Sequence, residues 1–428
     1  MNKVLIISYY WPPAGGPGVQ RVLKFVKYLP EFGWQPFVLT VADGDYPAWD
    51  PSLTVDIQPD LPVYKTRALE PFRFYRKVAG LKINEEIPTF VLNPHYQEKT
   101  SNRITRWIRA NFFIPDARLG WIPPARRLGM KLVHQHKIDL IWASSPPHSV
   151  QLIARYLAQR TGLKWIADLR DPWTEAFWQR ELPATYPARK LNAYLERKVL
   201  NSAAAITTVS EGLRQIFQRK SHRLCRVITN GYDTADYASL PPRVTNPRFT
   251  IVYAGNLGKD QSLQPLVKAI RDIPSHFYPK LALHIFGNLH QQIQSEIKAF
   301  PPEIDLRIEP YQMHAQIIKS MYQADLLLLV IPNTPDNQGI VTGKLFEYLA
   351  TGNYILGIGP TDGDAAVILH NTAAGEVFDY EADLRPALLQ EFEKWEQGIS
   401  DRRISPGVSA YSRRYLTGQL AELFNTVV

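Results

Sequence analysis

The chain has a single cysteine, Cys225, so it can build neither a disulfide framework nor a cysteine-based metal site. A reducing compartment suits it best. Long apolar runs are missing too. The longest, Leu326 to Ile331, is far short of the ~20 residues that cross a bilayer. Near the start, Lys3 is followed only by Val4 to Ile7 before the cluster Tyr9 to Pro13, whereas an export signal needs ~7–15 apolar residues. The expected location is therefore the cytoplasm, with attachment to the inner face of the plasma membrane left open. Short-period repeats, low-complexity tracts, zinc-finger spacing, RNA-binding aromatic motifs and basic tails are all lacking, so nucleic acid is not an expected partner.

What is present is ordinary globular material: 428 residues, 45% hydrophobic and 21% charged. At ~100–200 residues per domain, two to four domains are expected. Acidic residues are in deficit, 40 against 49 Lys and Arg, giving a net charge of +9. Such a balance asks for an anionic partner. Residues 61–140 hold 15 Lys or Arg and 6 Asp or Glu, so this window alone equals the net charge of the chain. It is rich in aromatics, among them Phe72, Phe74, Tyr75, Phe90, Trp107, Phe112, Phe113 and Trp121. Ile104, Trp107 and Ile108 fall on one helical stripe, beside Arg103, Arg106 and Arg109. The pattern fits an interfacial helix on anionic lipid, and residues 70–114 are the expected membrane contact. It equally fits a core-packed helix with a solvated basic edge.

Strands and helices alternate along the first half. Strands are expected at Lys3 to Ser8, Gln35 to Thr40, Leu140 to Ala143, Trp165 to Asp168 and Ala205 to Val209. Helices are expected at Val19 to Leu29, Ser149 to Thr161 and Ala188 to Asn201. The second half restarts the pattern, with strands at Phe249 to Tyr253, Leu281 to Phe286, Leu306 to Ile308, Leu326 to Ile331 and Tyr354 to Gly357, and a helix at Ser262 to Ile270. Alternation of this kind implies parallel sheets with crossover helices, an α/β class of two tandem doubly wound domains. The expected organisation is an N-terminal domain over 1–238, a proline-bearing linker over 239–248, a C-terminal domain over 249–405, and a terminal segment over 406–428. Ligands of such sheets bind beyond the carboxyl ends of the strands, here in a cleft between the domains.

Two glycine loops follow strands. Ala14-Gly15-Gly16-Pro17-Gly18 matches the dinucleotide fingerprint only partly: Arg21 stands at its third glycine, and no acid closes the second strand. It remains either an anion-approaching backbone at a helix start or a tight turn. Richer is Gly339-Ile340-Val341-Thr342-Gly343-Lys344 running into Leu345-Phe346-Glu347, with Gly352 at the expected helix end. Lys344 lies in a first helical turn, where the macrodipole disfavours a cation and a bound anion offsets the cost. Glu347, three residues on, shares its face and is suited to accept two vicinal hydroxyls of a ribose. An ordinary surface ion pair has the same spacing.

The assembled pieces resemble retaining glycosyltransferases of family 4, which have the GT-B fold. They are Tyr9-Tyr10-Trp11-Pro12-Pro13 with Gly15-Gly16, Asp168-Leu169-Arg170-Asp171-Pro172-Trp173, Thr229-Asn230-Gly231-Tyr232-Asp233, Tyr253-Ala254-Gly255-Asn256-Leu257-Gly258-Lys259, and Lys344 to Ala350. The chain looks most like bacterial enzymes that build surface polysaccharides on lipid carriers. The resemblance implies a nucleotide-diphosphate-sugar donor held by the C-terminal domain and no separate cofactor or metal. It implies a lipid-linked or other saccharide acceptor. Lys344 and Lys259 match positions that neutralise the diphosphate, Glu347 the ribose carboxylate, and Gly15 and Gly16 the loop near diphosphate and sugar. Asn256, Thr342 and Gly343 belong to the same donor-site loops. A C-terminal helix, here Arg413 to Val427, is expected to cross back to the first domain. Two positions depart from the family pattern. Gly339 stands where many members carry a first glutamate, leaving Asp336 as the nearest acid. Arg170 and Asp171 stand where many carry a histidine, so these two are the candidates for positioning the acceptor, or form a plain ion pair. A nucleotide-sugar epimerase and a non-catalytic anion-binding scaffold are the alternatives.

Asp43-Gly44-Asp45 and Asp362-Gly363-Asp364 resemble a metal-binding Asp-x-Asp but are expected to mark turns. His134 and His136 do not share a helical face. His148 either meets the acceptor or starts a helix, and Cys225 has no partner that would activate it. Base and sugar contacts are expected near Asn288, Tyr311 and Asp336.

Overall fold

The first strand, β1 (Asn2–Ile7), is apolar on both faces, and parallel sheets clothed by helices on both sides require that. The computed structural model describes residues 1–44, 46, 48–68, 100–176, 179, 181–310, 312–399 and 404–428. Phe72, Phe74, Tyr75, Phe90, Asp45 and Tyr311 lie outside them, as does most of the 70–114 stretch. Val4 and Ile6 enter the core with α1 (Pro17–Tyr28), while Leu5 and Ile7 enter the opposite one. β1 is followed by β2 (Trp34–Val41) and β3 (Val63–Thr66), then by α2 (Thr100–Phe112) and α3 (Ile122–His136). Next come β4 (Leu140–Ser145), α4 (Ser149–Thr161), β5 (Lys164–Leu169), α5 (Tyr186–Ser202), β6 (Ala205–Thr208), α6 (Glu211–Gln218) and β7 (Leu224–Val227). These strands pair in parallel in the order β3-β2-β1-β4-β5-β6-β7.

The second half holds β8 (Phe249–Ala254), α7 (Gln264–Arg271), β9 (Leu281–Phe286), α8 (Gln291–Ile297), β10 (Asp305–Glu309), α9 (His314–Gln323) and β11 (Leu326–Val330). It continues with α10 (Gly343–Thr351), β12 (Tyr354–Ile358), α11 (Asp364–Thr372), β13 (Gly375–Phe378) and α12 (Arg385–Glu396), and the chain ends in α13 (Arg413–Val427). The second sheet is parallel too, ordered β10-β9-β8-β11-β12-β13. Strand order reverses between β1 and β4 in one sheet and between β8 and β11 in the other. Loops leaving those strands diverge there and open a crevice at the carboxyl ends.

Among the described residues the chain divides into two compact units, one of residues up to 229 together with 413–428, the other of residues 230–412. The division thus falls at 229/230 rather than at the proline-bearing stretch 239–248. Residues ahead of that stretch are tied to the second unit: the Tyr237 hydroxyl donates to the Glu347 carbonyl at 2.9 Å, and Tyr232 pairs with Ser412. The terminal segment separates at 412/413, not at 405/406. From there α13 sends Leu416, Leu420, Leu423 and Phe424 into the α1 side of the first core. The Trp34 indole donates to Asn425 Oδ1 at 2.9 Å, fixing the helix end.

Helix ends show similar local causes. α1 starts at Pro17, two residues earlier than the apolar pattern suggests, because proline needs no N–H partner in a first turn. α7 starts later than Ser262, because the buried Glu296 carboxylate caps that turn, accepting from the Leu263 N–H at 2.7 Å.

The first unit is pinned at its centre by an ion pair with no solvent exposure. Arg21 of α1 meets Asp168 of β5 through Nη2 to Oδ1 at 2.8 Å and Nε to Oδ2 at 3.1 Å. Ser144 of β4 and Thr207 of β6 donate to the same carboxylate at 2.6 and 2.7 Å. Burial pushes the Asp168 carboxyl up, but Arg21 and these hydrogen bonds outweigh it and hold the group below the usual range. Three strands and a helix are thereby locked by one side chain. Asp168→Asn should lower the unfolding free energy of this unit by about 3–5 kcal/mol, since Arg21 is left buried without its charge partner. A depressed carboxyl stabilises above its unfolded pKa of about 3.9 and loses that contribution as pH falls through the folded value. Denaturant titrations should therefore show the parent losing stability below pH 4 and the variant losing less.

Candidate functional site

At the β8–β11 switch point the strand end is shaped by Gly255. Its φ is +122°, and a Cβ there would lie 2.7 Å from the Lys344 amine. Gly287 backs it at φ +139°, where a Cβ would meet the Gly255 carbonyl oxygen at 2.4 Å. Bare backbone in both loops leaves room for a lysine to reach across.

Lys344 occupies that room from the first turn of α10. Its Nζ donates to the Tyr253 hydroxyl at 2.7 Å and stands 3.9 Å from the centroid of the same ring. Burial lowers its pKa to about 7, with Glu347 opposing in part. Its charge is thus less firmly held than that of an exposed lysine, and an anion arriving beside it favours the protonated form. Tyr253 has no solvent exposure, and burial pushes its phenol up, so it stays a neutral hydrogen-bonding group. Its hydroxyl donates to the Asn256 carbonyl at 3.0 Å and accepts from Gln261 Nε2 at 3.4 Å. Gln261 also donates to the Val330 carbonyl at 2.7 Å and accepts from the Gly258 N–H at 2.8 Å. One phenol thereby couples the lysine to the whole turn after β8.

The spacing of Lys344 and Glu347 is that of an ion pair, yet each goes elsewhere. Glu347 Oε1 lies 2.8 Å from His314 Nε2, where α9 begins. The carboxylate is oriented by histidine and partly open to solvent. Thr342 precedes α10 with its hydroxyl buried and unpartnered. Gly352 closes the helix at φ +70°, as its position in the sequence predicts. Upstream, Asp336 adopts a left-handed conformation before the turn Asn337–Gly339, which Asn337 ties to the Pro332 carbonyl and the Tyr380 hydroxyl. Asn256 accepts from the Asn288 N–H at 2.9 Å, joining the turns after β8 and β9. Lys259 is exposed and faces a groove of about 480 Å³ lined also by Gln264, Lys268, Asn333 and Tyr380. Asp362 accepts from Gln338 at 2.9 Å and stands in a turn.

The first unit has its own cluster where β4 and β5 end. Arg170 donates through Nε to the Ser145 carbonyl at 3.0 Å and through Nη2 to that of Pro146 at 2.8 Å. Its Nη1 fills the space over Gly18, where a Cβ would come within 1.9 Å. Asp171 is pushed up by burial, against the pull of Arg170. His148 stacks on Trp173 at 4.3 Å with the rings 6° from parallel. Burial and the Arg170 charge push the histidine down to about 3, so it is neutral at physiological pH. Gly15 donates to the Ala48 carbonyl at 2.9 Å, and Gly16, at φ +99°, directs the chain into α1. Arg170, Asp171 and His148 are thus brought together with the glycine loop. His136, by contrast, sits at the far end of α3 against Tyr64 and Phe37. Cys225 is buried, and burial raises its thiol to about 12.

Tyr253 and His314 are the residues that sequence reasoning passes over. Tyr253 stood inside a recognised motif, yet nothing in the spacing marks it as the seat of the lysine. His314 lies 33 residues before Glu347 and carries no local signal at all.

The Glycosyltransferase Family 4 profile matches residues 17–236, just over half of the chain. No curated protein matches the sequence. Among solved structures the chain is similar to Anabaena HepE in complex with UDP, with a TM-score of 0.62 at 14% identity over 100% of both chains. It is similar also to a glycosyltransferase from Rickettsia africae, with a TM-score of 0.62 at 11% identity over 100% of this chain and 98% of that one. A third is the lipopolysaccharide outer core galactosyltransferase WaaB in its apo form, with a TM-score of 0.56 at 12% identity over 100% of both. At such identities the likeness shows the fold, which is GT-B with two Rossmann-like units in tandem.

The Lys344 environment yields a direct prediction. In protein labelled with ¹⁵N-lysine, one side-chain resonance should titrate near pH 7, charged below and neutral above, and should vanish in Lys344→Met. Gly255→Ala should move that resonance toward the usual lysine value by displacing the amine from its seat, and a spectrum unchanged by Gly255→Ala would contradict the geometry.

Proposed function

The chain belongs to glycosyltransferase family 4, and from that premise we propose that it transfers a sugar, with retention of configuration, from a nucleotide-diphosphate sugar to an acceptor hydroxyl. The acceptor in this reading is a lipid-linked saccharide of cell-surface polysaccharide synthesis, met at the inner face of the plasma membrane. The observation that carries the reading is the Lys344 amine, seated on the Tyr253 hydroxyl and directed over the glycine turn after β8. A cation in the first turn of a helix is poorly placed unless an anion joins it. A donor diphosphate supplies that anion, and the helix N–H groups and the unpartnered Thr342 hydroxyl supply further donors.

In the reaction the bond from the anomeric carbon to the β-phosphate oxygen breaks, and a bond to the acceptor oxygen forms on the same face. The acceptor proton passes to the departing phosphate oxygen. Negative charge grows on the leaving group, where Lys344 and the amides of α10 lower its energy and Lys259 adds a more distant positive charge. Glu347, held by His314, binds the ribose hydroxyls. With Gly339 in place of an acid, the sugar relies on backbone groups of the 336–343 loop and on Asp336. Arg170 and Asp171 position the acceptor beside the Gly15-Gly16 loop. Lysine charge replaces a bridging metal ion, so transfer should persist in a chelator.

A charge-assisted hydrogen bond is worth about 1.5–3 kcal/mol, so Lys344→Ala should cost ten- to a hundred-fold in kcat/KM for the donor. Thermal stabilisation by a nucleotide-sugar panel identifies the donor, since a ligand at about 100 times its Kd adds about 2.7 kcal/mol. Transfer to a lipid extract then tests the acceptor. Full activity in Lys344→Ala would refute the site, and epimerised donor without transfer would refute the reaction. Lys344 is charged in the complex and titrates near pH 7 when free, so donor binding should take up protons above pH 7 and weaken as pH rises. Calorimetry in buffers of different ionisation enthalpy measures that uptake directly.

A further inference from the structure

α2 and α5 are stitched together at one edge of the first unit. Asn111 donates to the Pro183 carbonyl at 3.0 Å and accepts from the Thr185 N–H at 2.8 Å, where α5 begins. Arg106 donates to the Glu181 carbonyl at 3.1 Å. Both helices turn large apolar groups outward. Trp107 and Phe112 are 44% and 68% exposed on α2, and Tyr186 and Tyr194 are 65% and 55% exposed on α5, with Leu191 beside them.

The charges on the exposed faces have one sign. α2 contains no acid. The one carboxylate of α5, Glu196, is turned inward, bonded to Lys220 at 2.6 Å and Thr174 at 2.5 Å. Arg189, Lys190, Arg197 and Lys198 all face outward. Tyr186, Lys190, Tyr194 and Lys198 recur every four residues and so form a single row. Within it the Lys190 amine stands 4.6 Å from the Tyr186 centroid, and the Lys198 amine 5.3 Å from that of Tyr194.

We propose that the outward faces of α2 and α5 form one interfacial surface that seats this unit on a bilayer of anionic lipid. Tyrosine and tryptophan are the side chains that settle at headgroup depth, and outward lysines meet the lipid phosphates. A nucleic-acid partner fits less well. The tyrosine faces that would stack on bases carry lysine amines, and Leu191 and Phe112 gain nothing from a phosphate backbone. The surface gives the proposed transferase access to a membrane-borne acceptor and rests on that reading only for its purpose.

The test is flotation of the full chain with vesicles of phosphatidylglycerol and phosphatidylcholine in equal parts, and with phosphatidylcholine alone. Binding should require the anionic lipid and weaken with salt. A lysine beside such a surface is worth about fivefold in partitioning, so Lys190→Glu with Lys198→Glu should lose at least about 25-fold. Tyr186→Ser with Tyr194→Ser should lose several-fold, and the loss should persist at high salt. Unfolding midpoints and pyrophosphate binding should match the parent in both variants. Equal partitioning of parent and variants, equal binding to neutral vesicles, or capture of a single-stranded oligonucleotide with no vesicle binding would overturn the proposal. Flotation needs no turnover, so an inactive protein that floats refutes only the transferase reading, and an active one that does not float refutes only this surface.

Discussion

A lysine amine that has lost most of its water organises the second unit. Desolvation alone disfavours its charge, and the Tyr253 ring and hydroxyl return only part of what water gave. The site is therefore poised rather than satisfied. Its neighbours follow from the need to bring that amine to the strand end. Gly255 must lack a side chain, and Gly287 must lack one to let Gly255 sit where it does. Tyr253 must point its hydroxyl across the turn, and Gln261 must hold the turn to the end of β11. A substitution at any of these positions acts on the lysine even when it touches no ligand.

The first unit meets the same constraint with a different cation. Arg170 leaves the end of β5 and lies over Gly18, much as Lys344 leaves α10 and lies over Gly255. In each unit a glycine after the strand next to the switch point makes room for a positive group from a distant segment. The two cations differ in kind. Arg170 is fixed by two carbonyls and cannot lose its proton, so it serves as a permanent charge of set geometry. Lys344 is a titrating point charge, suited to follow charge that grows and leaves. Arg170 has a further consequence for His148: its charge and burial keep that ring neutral, so the ring offers a hydrogen bond rather than a charge.

The sheets were largely legible in the sequence, because parallel strands buried on both faces read as unbroken apolar runs; β11, with four leucines and a valine, is the plainest case. Helix starts were less so. α7 begins where Glu296 of another helix caps it, and no window of local sequence contains that information. The site was half legible. The glycine loop, Lys344 and Glu347 stood together in one segment, and their spacing suggested a pair. The structure separates them, one to Tyr253 and the other to His314, because the partners come from other strands and helices. The contact division has a related cause: prolines mark where a chain stiffens, whereas residues 230–238 go with the second unit because Tyr232 and Tyr237 bond within it.

Charge is legible in a sequence only as a sum, and a sum leaves out which way each group faces. Summing over 61–140 found a basic window because that stretch has few acids. The same sum passes over α5, where Glu196 formally cancels a lysine. In three dimensions it does not cancel, since the carboxylate is turned into the core and paired there with Lys220. The field that an approaching surface meets is set by outward charges alone, and on α5 these are all cations. An inward acid thus makes an outward helix more basic than its composition, at the cost of burying a charge that Lys220 and Thr174 must satisfy.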